Sequence, residues 1–404
     1  MPISVLSKGT DQQDGRVSGP RRLGLLLLAA PLLLTTACGQ GQLFGPPIPP
    51  AKIISSVPDK KQGVEPNTKI SVGVKDGKLT QVSLATKEGQ AVAGKLAANG
   101  QSWNVTEPLD LGEDYVIEAR AVDVEGKQQS VSKTSFSTVD AKTKLRYTMF
   151  PSAGQTVGVG QPIEVRFKSK VVEKAKIAKA LKVTTSPTEV TGAWRWLDSK
   201  TLRWRPKEYW PASTKVTVAF NLRSVQAAPG LYGDKDASKS FKIAERSLVM
   251  KVDLRDNYQM SVYRDGKLLR RLAASGGKRN FETRSGVKII LGKQADKKMR
   301  SESIGISNPE AQDYYNTDVK WAQRITWSGE FIHGAPWNRQ LGSGNGSHGC
   351  TNLSDSSAGW LYNQTMIGDP VEYEGDKPSK KMTLENGYGD WNLSWEQWVS
   401  GSDE

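Results

Sequence analysis

The reactive side chains of this 404-residue chain are few: two cysteines, Cys38 and Cys350, and two histidines, His333 and His348. Three of the four fall between positions 333 and 350, in His333-Gly334-Ala335-Pro336-Trp337, a Gly- and Asn-rich loop, and then Ser347-His348-Gly349-Cys350-Thr351-Asn352. A structural thiol is usually set among apolar neighbours, and a Gly-Ser-Asn loop is a different setting. A thiolate nucleophile needs a lowered pKa and a base within hydrogen-bond reach, and an imidazole with an ordinary pKa of ~6.5 supplies both. His348, two residues before Cys350, would share its face in an extended segment, whereas His333 must return across the loop. Spacing alone leaves open which imidazole is the base. Gly349 lets the backbone approach a substrate closely, and the N–H groups of Gly349 and Cys350 could form an oxyanion hole. His333, His348 and Cys350 could also hold a catalytic zinc with one open position. No carboxylate lies beside the motif in sequence to orient such ligands, so the thiol reading is preferred.

The elements that must position this cluster are mainly β. With 39 Gly and 20 Pro the chain is rich in turns, which argues against an all-helical fold. Residues 51–141 contain alternating runs such as Lys69 to Val74, Tyr115 to Ala119 and Ser130 to Phe136, broken by Lys75-Asp76-Gly77 and Glu88-Gly89. Period-two alternation with a turn roughly every ten residues predicts a β-sandwich. Residues 142–244 repeat the grammar with Ile163 to Phe167, Thr201 to Pro206 and Lys215 to Phe220, predicting a second tandem immunoglobulin-like module. Neither module contains His or Cys, so chemistry falls to the third region, 245–373. This region opens with Ser247 to Leu254, Gln259 to Tyr263, the turn Arg264-Asp265-Gly266 and Lys267 to Ala273, a predicted β-meander with a Gly-closed hairpin. The clearest helix is predicted over Ser356 to Thr365, with Asp355 as its cap. A short tail, 374–404, carries Trp391, Trp395 and Trp398; the spacing of the last two favours packing on a neighbouring surface.

The N-terminus reads as an export signal over residues 1–37. Arg16, Arg21 and Arg22 precede the apolar run Leu23 to Leu34, which falls short of the roughly twenty helical residues needed to span a bilayer. Thr35-Thr36-Ala37-Cys38 resembles the lipobox of bacterial lipoproteins, departing from it in having Thr35 where Leu is usual. Lipidation of Cys38 would leave Cys350 as the single thiol, so no intrachain disulfide is expected. Residues 38–50, with Pro46, Pro47, Pro49 and Pro50, read as an extended tether. The expected location is the outer face of the cell membrane, with the domains in the cell-wall space. The net charge of +14 and pI near 9.5 suit an anionic partner. Because Lys and Arg are spread without a dense block, nucleic-acid binding is not expected.

The run Ser347 to Asn352, with His333-Gly334 upstream, resembles the signature of L,D-transpeptidases with the YkuD-type catalytic domain. The mature chain as a whole is similar to the mycobacterial type: a lipoprotein with two immunoglobulin-like modules, a β-rich catalytic domain with few helices, and a Trp-rich C-terminal subdomain such as Gly389-Asp390-Trp391-Asn392. The resemblance implies acyl transfer between peptidoglycan stem peptides, donor and acceptor, without a cofactor. Cys350 would attack the carbonyl of meso-diaminopimelate, D-Ala would leave, and a second stem's amine would resolve the thioester into a 3-3 cross-link. It also implies acylation by carbapenem β-lactams, His333 as base oriented by the Gly334 carbonyl, and His348 tuning the thiolate or the substrate. Asn352 and Trp337 would lie near the substrate, Ser328 on the strand leading to His333, and Met299 and Tyr315 in a flap. The chain has Ile304 where some relatives carry Tyr, and Gly334 where some carry Ser. Two other readings use the same features: an L,D-carboxypeptidase, should water replace the amine, and a wall-binding scaffold with an inactive third domain.

Overall fold

The computed structural model describes residues 48–374 and 380–401. The expected signal segment, Cys38 and most of the Pro-rich stretch lie outside the described residues. The fold is mainly β, with twenty-nine strands and three α-helices among the described residues. In the first module a four-stranded sheet, Lys52–Ser55, Ser71–Lys75, Ser102–Val105 and Gly94–Leu96, accompanies a five-stranded one built on Gly77–Thr86, Asp114–Asp123 and Gln129–Thr138. The alternation seen in sequence is the burial pattern: along Asp114–Asp123 every second residue is buried, and Tyr115, Ile117 and Phe136 fill the core with Trp103.

The second module has two four-stranded sheets, one centred on Ile163–Phe167 and Thr201–Pro206, the other on Lys215–Phe220 and Ala237–Ile243, and a small three-stranded sheet of Thr143–Lys144, Leu231–Tyr232 and Gln226–Ala228. Trp204, Trp210, Phe220 and Phe241 form its core. It also carries a helix the sequence reading missed, Lys174–Ala180, whose signal is the strong helix-forming run Lys-Ala-Lys-Ile-Ala-Lys-Ala with Ile177 buried.

The third region combines two sheets. The predicted meander forms Leu248–Asp253, Gln259–Arg264 and Lys267–Ala273, closed by Asp265 and Gly266, both at positive φ as a tight hairpin turn requires. It then continues in a way alternation could not reveal, since Leu248–Asp253 pairs in parallel with the distant Pro370–Glu374. The second sheet runs in the order Gly292–Arg300, Asn316–Arg324, Phe331–Gly334 and Thr351–Leu353, the last pair again parallel. Met250, Val252, Ile332, Leu353 and Leu361 share one core. The helix is Asp355–Gln364, and its cap is Ser354, whose side chain accepts from Ser357 N at 3.2 Å; the expectation of an Asp355 cap was one residue late.

The tail packs back on the second module. Trp398 is fully buried and donates to Ala193 O at 3.0 Å, and Trp391 donates to Gly160 O at 2.8 Å. Arg203, buried on the strand Thr201–Pro206, joins Glu164 (2.8 Å) to Asp390 (3.0 Å) and donates to the carbonyls of Leu384 and Gly387.

Candidate active site

The parallel pair Phe331–Gly334 and Thr351–Leu353 is what assembles the site. Its register sets His333 beside Asn352 and Ile332 beside Thr351, so Cys350, two residues before Asn352, is brought to the same cleft as the imidazole despite the seventeen positions between them, its Sγ lying 3.9 Å from Gly329 O. Gly349 adopts φ +116°, a conformation that a Cβ would strain, which is why glycine precedes the thiol. The turn is fixed by Ser347, whose Oγ donates to Cys350 O (2.6 Å) and accepts from Gly349 N (3.1 Å). Thr283 Oγ1 donates to Gly349 O (2.9 Å). These bonds correct one expectation: the Gly349 N–H is already spent on Ser347, leaving the Cys350 N–H as the backbone donor at this turn.

His333 is buried, and its Nδ1 lies 2.7 Å from the Gly334 carbonyl. A carbonyl only accepts, so Nδ1 carries the proton and Nε2 bears the lone pair. That lone pair accepts from Asn352 Nδ2 at 3.1 Å, and Asn352 Oδ1 accepts from Asn338 Nδ2 at 2.9 Å. Asn352 thus sits on the imidazole as well as on the cleft. Burial holds the His333 pKa below its ordinary value, opposed by the Gly334 carbonyl and the Asp355 charge. Burial also pushes the Cys350 thiol up to about 12, with the Phe331 N–H and then Lys288 and Arg324 pulling down and Glu330 pushing up. The resting pair is a neutral thiol and a neutral imidazole.

His348 is placed differently. Its Nε2 lies 3.0 Å from Asp313 Oδ1, and its ring packs against Phe281 and Tyr315. Asp313 also binds Lys278, and these two contacts hold its carboxyl below the usual range. The residues flanking His348 in sequence include no carboxylate, yet the fold supplies one to it from thirty-five residues away. Among the described residues, no group of three His, Cys, Asp or Glu is placed to hold a metal ion.

Cys350, His333, His348 and Asn352 line one cleft of about 720 Å³ together with Met299, Tyr315, Ser328 and Trp337. Met299 is the penultimate residue of the strand Gly292–Arg300, and Ile304 closes the 3-10 turn Ser301–Ile304 that follows. Trp337 is 53% exposed at the rim, its ring centroid 6.4 Å from that of His333. Ser328 lies in the turn before the His333 strand rather than on it, and its hydroxyl accepts from Asn386 Nδ2 of the tail at 2.9 Å. Gly334 and Gly349 do not line the cleft themselves but adjoin His333 and Cys350, which do. A Cβ on Gly334 would fall 2.1 Å from Asp355 Oδ1, so the Ser of some relatives does not fit here without movement of Asp355.

A bacterial Ig domain model matches residues 61–226 and an L,D-transpeptidase catalytic domain model matches residues 247–372. The chain is 32% identical to L,D-transpeptidase 2 of Mycobacterium tuberculosis over 98% of both chains. The chain belongs to the L,D-transpeptidase family. Its identity to L,D-transpeptidase 5 of the same organism is 34%, over 99% of this chain and 88% of that protein. Among solved structures, L,D-transpeptidase 3 from M. tuberculosis with a faropenem-derived adduct is 30% identical, covering 57% of this chain and 98% of that one at a TM-score of 0.47. The catalytic-domain match of this L,D-transpeptidase spans the whole cluster described above, while the Ig-domain match takes in strands of both sandwiches.

Besides Asp313 and Asn338, the sequence reading missed a buried charge cluster in this neighbourhood. Glu330, buried beside Phe331, pairs with Lys288 (2.6 Å) and Arg284 (2.8 Å), and Lys288 is itself wholly buried, 3.7 Å from the Tyr373 ring centroid. The only local hint is a Glu in the otherwise neutral run Ser328 to Ile332, because its partners lie more than forty positions away.

Proposed function

We propose that the chain forms 3-3 cross-links in peptidoglycan by acyl transfer through a thioester on Cys350. The observation that carries this reading is the parallel register that sets a neutral, buried imidazole beside Asn352 and brings the only described thiol, two residues earlier, to the same cleft. His333 Nε2 takes the Sγ proton, displacing the Asn352 amide, while Nδ1 stays tied to Gly334 O. Sulfur attacks the carbonyl carbon of the donor's third residue. The bond to D-Ala then breaks, and the proton held by His333 passes to the departing amine. The amine of a second stem attacks the thioester, loses its proton to His333, and the sulfur leaves and is reprotonated. The Cys350 N–H faces the developing oxyanion in this scheme, and His348, held by Asp313, orients the substrate near the sulfur.

The same thiol would be acylated by carbapenems, opening the β-lactam ring. Export, lipidation at Cys38 and placement on the outer membrane face complete the proposal; they rest on the Leu23 to Leu34 run and on the residues before Cys38. The deciding experiment supplies a tetrapeptide-bearing muropeptide and follows products by mass spectrometry. Release of D-Ala with dimer formation is expected. Release without dimers would make the protein a carboxypeptidase, and absence of a carbapenem adduct at Cys350 would favour the scaffold reading.

A further inference from the structure

The Cys350 sulfur rests against the backbone on either side of Glu330: Sγ lies 3.9 Å from Gly329 O, and the Phe331 N–H faces it. A thiol donates to the first group and a thiolate accepts from the second, so the placement of Glu330 bears on both forms of the nucleophile. The Glu330 carboxylate is anchored three times. Its Oε1 accepts from Arg284 Nη1 (2.8 Å) and Arg284 N (3.2 Å), and its Oε2 accepts from Lys288 Nζ (2.6 Å). Its Cγ lies 3.8 Å from the point that a Cβ on Gly349 would occupy, so the anchored side chain also backs the residue before the thiol. On the other flank of the sulfur, Thr351 Oγ1 lies 2.6 Å from Tyr373 OH, and Lys288 Nζ lies 3.7 Å from the centroid of the Tyr373 ring. Lys288 and Tyr373 stand on the paired strands Gly286–Ile289 and Pro370–Glu374 of the first sheet, whereas Phe331 and Thr351 stand on the second. One wholly buried ammonium, outside the cleft, therefore ties both segments around the nucleophile to a single strand pair of the opposite sheet. A buried ion pair often stabilises a fold no better than apolar side chains of like volume; what its directional bonds add is a defined geometry.

We infer that Lys288 is a positioning residue for the nucleophile: through Glu330 and Tyr373 it fixes the two segments that flank the Cys350 sulfur, and acyl transfer depends on it although it lies outside the cleft. The inference rests on the acyl-transfer reading and concerns the same thiol.

The test uses the full-length chain and the double variant Lys288→Met with Glu330→Met, which removes both charges together and strands neither. Cooperative urea unfolding establishes that it folds. Its kcat on the tetrapeptide donor and its rate of carbapenem acylation, followed by mass spectrometry, should fall about a hundredfold, the penalty for displacing a reacting atom by ~1 Å, with KM unchanged. Alkylation of Cys350 by iodoacetamide, which can approach the sulfur from any open direction, should stay close to the unsubstituted rate. The acid limb of acylation should not move, because the pair carries no net charge. A folded double variant with unchanged kcat and acylation, an equal loss in alkylation and acylation, or a displaced acid limb would overturn the inference. Should the double variant not fold, Tyr373→Phe keeps the ion pair and removes only the Thr351 contact; it should lower kcat several-fold with KM unchanged, and an unchanged kcat would overturn the inference. Failure of the unsubstituted chain to release D-Ala would remove the transpeptidase reading instead, and the carbapenem rates would then decide the inference alone.

Discussion

His333 and Cys350 are both uncharged at rest, and this sets the pH behaviour. Burial depresses the imidazole, so the acid limb of the acylation rate should fall below the ordinary imidazole range, with a plateau above it, because the thiol stays protonated up to about 12. A rate that keeps rising through neutral pH would contradict a neutral-pair mechanism. In the folded chain His333 resists protonation. As pH drops below ~6.5 the unfolded chain therefore takes up that proton first, and this contribution to stability is lost. His333→Ala should abolish carbapenem acylation of Cys350, while His348→Ala should leave a measurable rate; the reverse result would exchange their roles. The Lys288–Glu330 pair gives a second residue-scale expectation. Glu330→Gln leaves a buried ammonium uncompensated and should cost roughly 3–5 kcal/mol in urea unfolding, whereas Glu330→Met with Lys288→Met should cost much less than the two single changes added. Scarcity made Cys350 and the two histidines legible in the sequence. The partners that decide their states were not, because Asp313, Asn338 and Lys288 arrive through folding from other strands and loops.

At the scale of elements, hydrophobic alternation located most strands of the sandwiches and the meander, since alternate burial leaves a period-two mark. It could not reveal that Phe331–Gly334 and Thr351–Leu353 run in parallel, because pairing partners leave no local trace. The helix start was misplaced by one residue for a similar reason: Ser354 and Asp355 are both good caps, and the deciding bond to Ser357 N is geometric. Instead of capping, Asp355 presses its Oδ1, buried and without a hydrogen bond, against the backbone of Gly334. Gly334→Ala should therefore destabilise by about 1–3 kcal/mol through overpacking, and adding Asp355→Ala should restore part of that loss. Thermal unfolding of the single and double variants checks this; additive losses would mean that residues 334 and 355 do not meet as described.

Across the whole molecule, chemistry and support are held together by the tail. Arg203 is the centre of that joint, bound to Glu164 of its own module and to Asp390 of the tail, while Asn392 exchanges two 2.8 Å bonds with the Val287 backbone of the catalytic region. Removing the cation leaves the buried Asp390 without its ionic partner, while Glu164 keeps only its pair with Arg166. Arg203→Met should cost roughly 3–5 kcal/mol, and calorimetry should show the catalytic region and second sandwich melting in separate steps. A single shifted transition would mean the two regions stay coupled without it. Composition gave the sequence no way to foresee this clasp, since Arg203 is one of many arginines and its partners lie up to 187 positions away.

Beside that joint, the Arg205 guanidinium lies 5.0, 5.5 and 5.1 Å from the ring centroids of Trp391, Trp395 and Trp398. Indole emission responds to a neighbouring charge and to water, so these three rings form a built-in optical gauge. Their fluorescence should report the undocking of the tail without any attached dye, and should do so before the cores of the sandwiches are exposed.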